Sequence, residues 1–125
     1  MKIALDIDGT ISEHPNFFAV LSSSFRAAGH QVLVLTYRDP ERAALTEAEL
    51  LQWGIEYDEL VYSRSLQQKG ELCAEHRVDL FIDDQDECIV DVPEHVVVLK
   101  VRNGGNFDFD RARWMSTSEL TDLLR

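Results

Sequence analysis

The sequence predicts an α/β fold in which a parallel sheet is covered by helices on both faces, and three observations support this prediction. Strand-like and helix-like segments alternate along the chain, the strand-like segments are near-continuous apolar runs, and glycine or proline separates many of the segments. The 125 residues suit one domain and contain no linker or repeat, so we treat residues 1–125 as a single unit.

The first half of the chain alternates strand, helix, strand and helix. Residues 2–7 form a short apolar run that predicts the first strand, and Pro15 suits the first turn of a helix. Apolar residues then recur at helical spacing until Gly29 ends that helix. Residues 31–35 predict a strand that is buried on both faces. Asp39 has the character of an N-cap for a second helix, which is expected to run to Trp53 before Gly54.

The second half continues the alternation with shorter elements. Strands are predicted at residues 60–62, 79–82 and 96–101, and a weakly patterned helix at residues 67–76. Ser116 and Glu119 have the spacing of a capping box, which predicts a last helix at residues 118–124. Parallel strands need crossover connections, so the expected architecture is a three-layer, Rossmann-like fold with a five-stranded, mainly parallel sheet.

Charge and composition exclude several classes of function. The formal net charge of -11 repels nucleic-acid backbones and anionic membrane surfaces, so we expect no non-specific nucleic-acid binding and no membrane association. Apolar runs are too short for a membrane span, and the N-terminus is unlike a signal peptide. Cys73 and Cys88 are too few for a disulfide framework and are expected to be buried. These features predict a cytoplasmic protein.

Polar residues follow the predicted strands at the edge where α/β sheets bind their ligands. They are the segment Asp6 to Thr10, the segment Thr36 to Arg38, the residues Ser63, Arg64 and Lys69, the pair Asp83 and Asp84, and the segment 102–106. Two unit charges about 4 Å apart repel by about 4 kcal/mol at an effective dielectric of about 20, so several carboxylates here need either protons or a cation. Oxygen ligands favour Mg²⁺, and Thr36 and Lys69 beside it would form a phosphate cradle.

The spacing of Asp6 and Asp8 predicts different chemical roles for the two carboxylates. On an extended segment both carboxylates lie on the same side, so one can attack phosphorus while the other moves protons. Gly9 permits the sharp chain reversal that must follow. Two solvated loop acids are the alternative interpretation of this motif taken alone.

Taken together, these residues resemble the haloacid dehalogenase superfamily of phosphohydrolases over most of the chain. Asp6-Ile7-Asp8-Gly9-Thr10 is similar to the first motif, Thr36 to the second, Lys69 to the third and Asp83-Asp84 to the acidic fourth. The resemblance implies that Asp6 is the nucleophile and Asp8 the general acid and base, while Thr36 and Lys69 bind the phosphoryl group.

The resemblance also implies the metal ligands. Mg²⁺ would be held by the Asp6 carboxylate, the Asp8 backbone carbonyl and a carboxylate of the fourth motif, for which Asp84 is preferred over Asp83. Members of the family often have a further acidic residue a few positions after the fourth motif, and Asp86 and Glu87 are the candidates here. The segments after Thr10 and after Arg38 are too short for the cap domain that many members carry, so the chain resembles capless members.

The expected function is therefore that of a Mg²⁺-dependent phosphatase that hydrolyses a phosphate monoester through an aspartyl-phosphate. Open, capless sites accept a nucleotide, a sugar phosphate or a phosphorylated macromolecule, or are covered by a second subunit of a homo-oligomer. The alternatives are a non-catalytic phosphate-binding or regulatory module, phosphotransfer to an acceptor other than water, and dehalogenation, which Asp8 disfavours.

Several residues have two interpretations. Arg38 either contacts the substrate phosphate or pairs on the surface with Asp39 or Glu41. Arg64 either supports Lys69 or is solvated. The segment Asn103-Gly104-Gly105-Asn106 is either a substrate-contacting loop or a plain turn.

Overall fold

The computed structural model describes residues 1–115 and contains a central sheet of five strands. The strands are β1 (Lys2–Leu5), β2 (Gln31–Thr36), β3 (Glu59–Tyr62), β4 (Leu80–Asp83) and β5 (Val97–Lys100). Their order is β3-β2-β1-β4-β5, and every neighbouring pair is parallel. The prediction of an α/β, Rossmann-like fold with a five-stranded parallel sheet is therefore confirmed.

Helices cover both faces of this sheet and make a three-layer structure. They are α1 (Pro15–Ala27), α2 (Ala43–Gln52), α3 (Gln68–Glu75) and the short α4 (Asp86–Ile89). On one face, Phe18 of α1 and Leu50 of α2 pack against strand residues such as Leu5. On the other face, Cys73 of α3 and Cys88 of α4 pack against Ala4 of β1 and its neighbours. Alternate side chains of each buried strand thus supply two separate apolar cores.

The first strand ends earlier than predicted, and the difference shapes the site. β1 stops at Leu5, and residues Ile7–Ile11 form a kinked helical turn in which Gly9 has a φ of 85°. The Asp6 and Ile7 carbonyls accept hydrogen bonds from the amides of Ile11 and Ser12 at 3.3 and 2.9 Å. Asp6 itself stays in register with β4. The predicted strand end at residue 7 is therefore wrong, because the backbone of Ile7 is used by the turn.

The second helix begins as its capping residues predicted. The Asp39 carboxylate accepts a hydrogen bond from the Glu41 amide at 2.9 Å, and a short 3-10 turn (Pro40–Arg42) precedes α2. The chain reverses after this helix at Gly54, whose φ is 74°, as it does after α1 at Gly29. The single helix predicted from Asp39 to Trp53 is thus two consecutive helical segments, the second of which ends at Gln52.

Three elements have no counterpart in the prediction. Two residues separate helix α4 from β4, and strands β6 (Phe107–Asp108) and β7 (Arg113–Trp114) form an antiparallel hairpin after β5. The other predicted boundaries differ from the observed ones by about one residue. The helix predicted at residues 118–124, with Ser116 and Glu119 at its start, lies outside the described residues.

The connections that position the site are short. Between Thr10 and β2 the chain forms α1, and between Arg38 and Ser63 it forms the 3-10 turn, α2 and β3, so residues 1–115 contain no cap unit at either position. None of the helices within this range has the length and apolar character that crossing a bilayer would require.

Candidate active site

The strand order places the candidate site at the centre of the sheet. From β1 the chain adds β2 and β3 on one side, and it then returns to add β4 and β5 on the other side. Such a reversal leaves a crevice beyond the carboxyl ends of the two central strands, which is where open α/β sheets bind ligands. Asp6 follows β1 directly and Asp83 ends β4, and the Asp6 amide still donates to the Ile82 carbonyl at 3.0 Å.

Lys69 joins the two central strands at this crevice. Its Nζ lies 2.6 Å from Asp6 Oδ1 and 2.8 Å from Asp83 Oδ2. The side chains of all three residues are almost fully buried, with exposed fractions of 2%, 6% and 1% for Lys69, Asp6 and Asp83. Buried charges at this distance interact strongly because little solvent screens them. The third helix therefore supplies the cation that two buried carboxylates share.

Burial and like charge set the protonation of this group. Burial is the largest influence on Asp6 and raises its pKa well above its ordinary value; the charge of Asp83 raises it further, and Lys69 opposes both. Burial likewise raises the pKa of Asp83. For Lys69, burial acts to lower the pKa, but attraction to Asp6 and Asp83 outweighs it and the pKa is raised. The ammonium stays charged, and one cation is not enough for the carboxylates around it.

A third carboxylate, that of Asp84, completes an acidic cluster. Asp6, Asp83 and Asp84 each offer an oxygen that lies within 4.8 Å of the others, and all three residues are buried. Within the described part of the chain, Lys69 contacts Asp6 and Asp83 but not Asp84. Three buried carboxylates against one ammonium leave an excess of negative charge, and oxygen-only ligands suit Mg²⁺. The donor set therefore fits a divalent cation.

The two fourth-motif carboxylates differ in how far they are already engaged. Asp83 Oδ2 contacts Lys69, and Asp83 Oδ1 accepts hydrogen bonds from the amides of Asp84 and Gln85 at 2.6 and 3.0 Å. Asp84 Oδ1 has only a long contact of 3.5 Å from the Thr10 hydroxyl. Asp84 is thus the better placed of the two to bind a cation, in line with the preference drawn from the sequence.

Asp8 lies at the mouth of the site and is held by Arg38. Arg38 Nε and Nη2 donate to the two oxygens of Asp8 at 2.9 and 2.8 Å, and Nη1 donates to Glu49 and Thr46 at 3.1 and 3.2 Å. The hydrogen bond with Asp8 is the main cause that raises the pKa of Arg38. Of the two interpretations of Arg38, the surface pair with Asp39 or Glu41 is wrong, because the guanidinium binds Asp8, Thr46 and Glu49 instead.

Thr36 ends β2, and its neighbour Tyr37 lines the cavity next to Asp6, whereas Thr36 itself is not among the lining residues of that cavity. Its side chain is fully buried, and its Oγ1 has no hydrogen-bond partner; within residues 1–115 the only other buried side-chain oxygen or nitrogen in this state is the Tyr62 hydroxyl. A buried hydroxyl without a partner costs about 1–3 kcal/mol, so such groups are rare in folded proteins. The unsatisfied hydroxyl fits a residue whose partner is a ligand.

Two cavities that share Tyr37 lie at this edge of the sheet. The first has a volume of about 120 Å³, and Asp6, Asp8, Lys69 and Asp83 are among its lining residues. The second is a groove of about 620 Å³ whose lining includes Tyr62, Arg38 and Arg64. Tyr37 lines both cavities and is half exposed. Tyr37 therefore lies between the small cavity beside Asp6 and the larger groove.

Contacts around the cluster include residues that the motifs alone did not assign. The Thr10 hydroxyl donates to Asp6 Oδ2 at 2.9 Å, so both oxygens of Asp6 are engaged. Asn103 and Asn106 of the loop after β5 reach Asp84 through their side-chain amides. The sequence signal for these two is the Asn-Gly-Gly-Asn segment itself, for which a plain turn is the favoured interpretation.

Some predicted candidates lie away from the cluster. Asp86 Oδ1 contacts Lys100 Nζ at 2.6 Å, and neither Asp86 nor Glu87 belongs to the carboxylate group within reach of one cation in residues 1–115. The Arg64 side chain is exposed, as the solvated alternative expected, and it lines the groove.

Comparison with known proteins bears on the fold alone. No family model matches this chain, and no curated protein matches it. A chain from the solved "Structure of Pnkp1/Rnl/Hen1 complex" is similar, with a TM-score of 0.60 and 18% sequence identity. The match covers 80% of this chain and 45% of that chain, so this chain spans less than half the length of the other. At this identity the likeness supports the α/β fold described above.

Proposed function

We propose that this protein is a Mg²⁺-dependent phosphohydrolase that cleaves phosphate monoesters through an aspartyl-phosphate on Asp6. The observation that carries the proposal is the contact of Lys69 with both Asp6 and Asp83 at the floor of a cavity of about 120 Å³, which Asp8 also lines. A buried carboxylate fixed by an ammonium at a sheet crevice suits nucleophilic attack on an anionic group, and the order of the motifs favours phosphorus as its target.

Asp6 is held in place for attack by two hydrogen bonds. Lys69 donates to Oδ1 and Thr10 to Oδ2, so the carboxylate cannot rotate freely. In the first step a bond forms between an Asp6 oxygen and phosphorus, and the bond from phosphorus to the ester oxygen breaks. The electron pair of that bond leaves with the ester oxygen. Positioning of this kind removes much of the entropic cost of the reaction.

Asp8 would move the protons of both steps. It gives a proton to the leaving ester oxygen in the first step and takes one from water in the second, when water attacks phosphorus and the bond to Asp6 breaks. The products are an alcohol and inorganic phosphate. Arg38 donates to both oxygens of Asp8 and would hold this carboxyl in place at the mouth of the site.

The cation site would be built from Asp6, Asp84 and the backbone carbonyl of Asp8. Bound Mg²⁺ would offset the repulsion between these carboxylates and the phosphoryl oxygens. Lys69 would add positive charge from helix α3, and the unpartnered Thr36 hydroxyl would donate to a phosphoryl oxygen. Asp83 would mainly hold Lys69, because its Oδ2 contacts the ammonium while its Oδ1 accepts from two backbone amides.

The leaving group would extend past Tyr37 into the groove of about 620 Å³. Arg64 is exposed on this groove, whereas the charge of Arg38 is balanced by Asp8 and Glu49. A nucleotide, a sugar phosphate or the end of a phosphorylated macromolecule all suit such an open groove. Two free, buried cysteines fit a cytoplasmic setting for this activity.

Steady-state hydrolysis tests this proposal. The purified protein is assayed with p-nitrophenyl phosphate and with a panel of nucleotides and sugar phosphates, with Mg²⁺ and with excess chelator. We expect turnover that needs the metal and that Asp6→Asn abolishes. Tyr37→Ala should raise KM for the large substrates and leave p-nitrophenyl phosphate nearly unchanged. Activity that persists in chelator, or in Asp6→Asn, would contradict the proposal.

A further inference from the structure

The loop after β5 contacts the acidic cluster through one buried side chain. Asn103 Nδ2 donates to Asp84 Oδ2 at 2.9 Å and to the Gly9 carbonyl at 2.9 Å. This one amide group therefore joins the turn after β1, the residue after β4 and the loop after β5. Asn103 is buried, with 7% of its surface exposed. Its partners lie 94 and 19 residues away along the chain, so these contacts belong to the tertiary structure.

Asn106 holds the same loop from its other end. Its Nδ2 donates to the backbone carbonyls of Asp84 and Val101 at 2.9 and 2.7 Å, and its Oδ1 accepts from the backbone amide of Asn103 at 2.8 Å. Asn106 is fully buried. The backbone and the carboxylate of Asp84 are thus each fixed by an asparagine of one four-residue turn.

The hydrogen bonds also fix which way the Asn103 amide faces. Its Oδ1 accepts from the Gly105 amide at 2.8 Å, which leaves Nδ2 for the two oxygens on the other side. A reversed amide would place its carbonyl oxygen against the Asp84 carboxylate and the Gly9 carbonyl, where it would be repelled. The donor therefore points at Asp84 by necessity.

Asn103 is a neutral donor, so it holds the Asp84 carboxylate without balancing its charge, whereas a lysine there would balance it. Lys69 brings one positive charge to Asp6 and Asp83, whereas Asn103 fixes Asp84 Oδ2 without adding any positive charge. The negative charge of Asp84 is retained, and its other oxygen, Oδ1, remains on the side of Thr10 and the cluster. Gly9 tightens this arrangement, because a Cβ there would collide with the Asp84 carboxylate.

We propose that Asn103, braced by Asn106, is a positioning residue that orients the Asp84 carboxylate for the cation. The inference rests on the proposed function, since it concerns the same cation. Groups that orient a metal ligand typically change metal affinity by about 10- to 100-fold when they are removed. Loss of Asn103 should therefore weaken Mg²⁺ binding while the nucleophile Asp6 and its contact with Lys69 stay intact.

The test is Mg²⁺ affinity, measured by calorimetric titration and by the rise in thermal midpoint on adding Mg²⁺. We expect Asn103→Ala to weaken binding by about 10- to 100-fold. Turnover should recover toward the wild-type value at saturating Mg²⁺. Gly104→Ala is the matched control in the same turn, because a Cβ there meets nothing within 4 Å, and it should leave the affinity unchanged. If Asn103→Ala does not fold, Asn103→Ser replaces it, because serine supplies a hydroxyl donor on a shorter side chain.

A double-mutant cycle separates positioning from a general structural effect. If Asn103 acts through Asp84, Asn103→Ala should have little further effect on Mg²⁺ affinity in an Asp84→Ala background. Wild-type affinity in Asn103→Ala, or a lower midpoint in chelator with an unchanged Mg²⁺-induced rise, would overturn the inference. Wild-type protein that neither binds Mg²⁺ nor hydrolyses esters would instead refute the proposed function itself, and the inference with it.

Discussion

Lys69 Nζ lies 2.6 Å from Asp6 Oδ1, although the residues are 63 positions apart and both side chains are almost fully buried. Removing one partner of a buried ion pair leaves an uncompensated charge, which typically costs about 3–5 kcal/mol. The Lys69–Asp6 ion pair therefore stabilises the fold, and it also fixes the carboxylate proposed as the nucleophile. Its removal gives the first prediction.

Lys69→Met should lower the free energy of unfolding by about 3–5 kcal/mol at about pH 8 in chelator. The loss should be smaller at about pH 5. Burial raises the pKa of Asp6, and loss of Lys69 raises it further, so the folded state holds more protons than the unfolded state between the two pKa values. In that window the free energy of unfolding falls as pH rises.

Urea denaturation at the two pH values measures this difference. Arg26→Met serves as a control for removing a cation, because Arg26 pairs with Asp58 at 3.2 Å and is 40% exposed. That pair should contribute about 0.2–1 kcal/mol at most. An equal loss for Lys69→Met at both pH values would contradict the protonation argument.

Thr36→Val should separate stability from ligand binding. The Thr36 hydroxyl has no partner, so replacing it with a methyl group of similar shape should leave the free energy of unfolding unchanged or raise it. Binding of inorganic phosphate, measured as competitive inhibition of hydrolysis, should weaken. Thr10→Val is the comparison: it removes a hydroxyl that donates to Asp6, and it should cost about 0.5–1.5 kcal/mol. Unchanged inhibition by phosphate in Thr36→Val would remove that residue from the phosphate site.

Arg38→Ala should lower kcat by less than Asp8→Asn does. Asp8→Asn removes the proton donor, for which losses of about 10²- to 10⁴-fold are typical, whereas Arg38→Ala removes only the group that holds it. Arg38→Lys should not restore the wild-type rate, because an ammonium cannot reproduce the two parallel hydrogen bonds. Arg42→Ala, an exposed neighbour, is the control. Full activity in Arg38→Ala would show that the pair with Asp8 has no part in turnover.

The fold and the meeting of Asp6 with Asp83 could both be predicted from the sequence, and for the same physical reason. Buried parallel strands leave continuous apolar runs, and the residues that follow two such runs must meet if the strands are neighbours. Asp6 and Asp83 are brought together in this way. Lys69 joins them because its helix packs on the same part of the sheet.

The remaining contacts depend on geometry that local patterns do not record. Nothing near Arg38 in sequence indicates that its guanidinium turns to Asp8 rather than to Asp39. The role of Asn103 depends on a turn that is folded against Asp84, and turns have no periodicity from which to predict their partners. The β6–β7 hairpin was missed because each of its strands has only two residues.

The most direct test of the account is to trap the covalent intermediate. The protein is mixed with Mg²⁺ and a phosphate ester labelled on phosphorus, quenched with acid during turnover, and digested for peptide mapping by mass spectrometry. We predict one phosphorylated peptide, with the phosphoryl group on Asp6, and none in the Asp6→Asn variant. Label on a different residue, or steady turnover with no label on Asp6, would contradict the assignment of the nucleophile. Binding of the ester with neither label nor turnover would favour a non-catalytic phosphate-binding module instead.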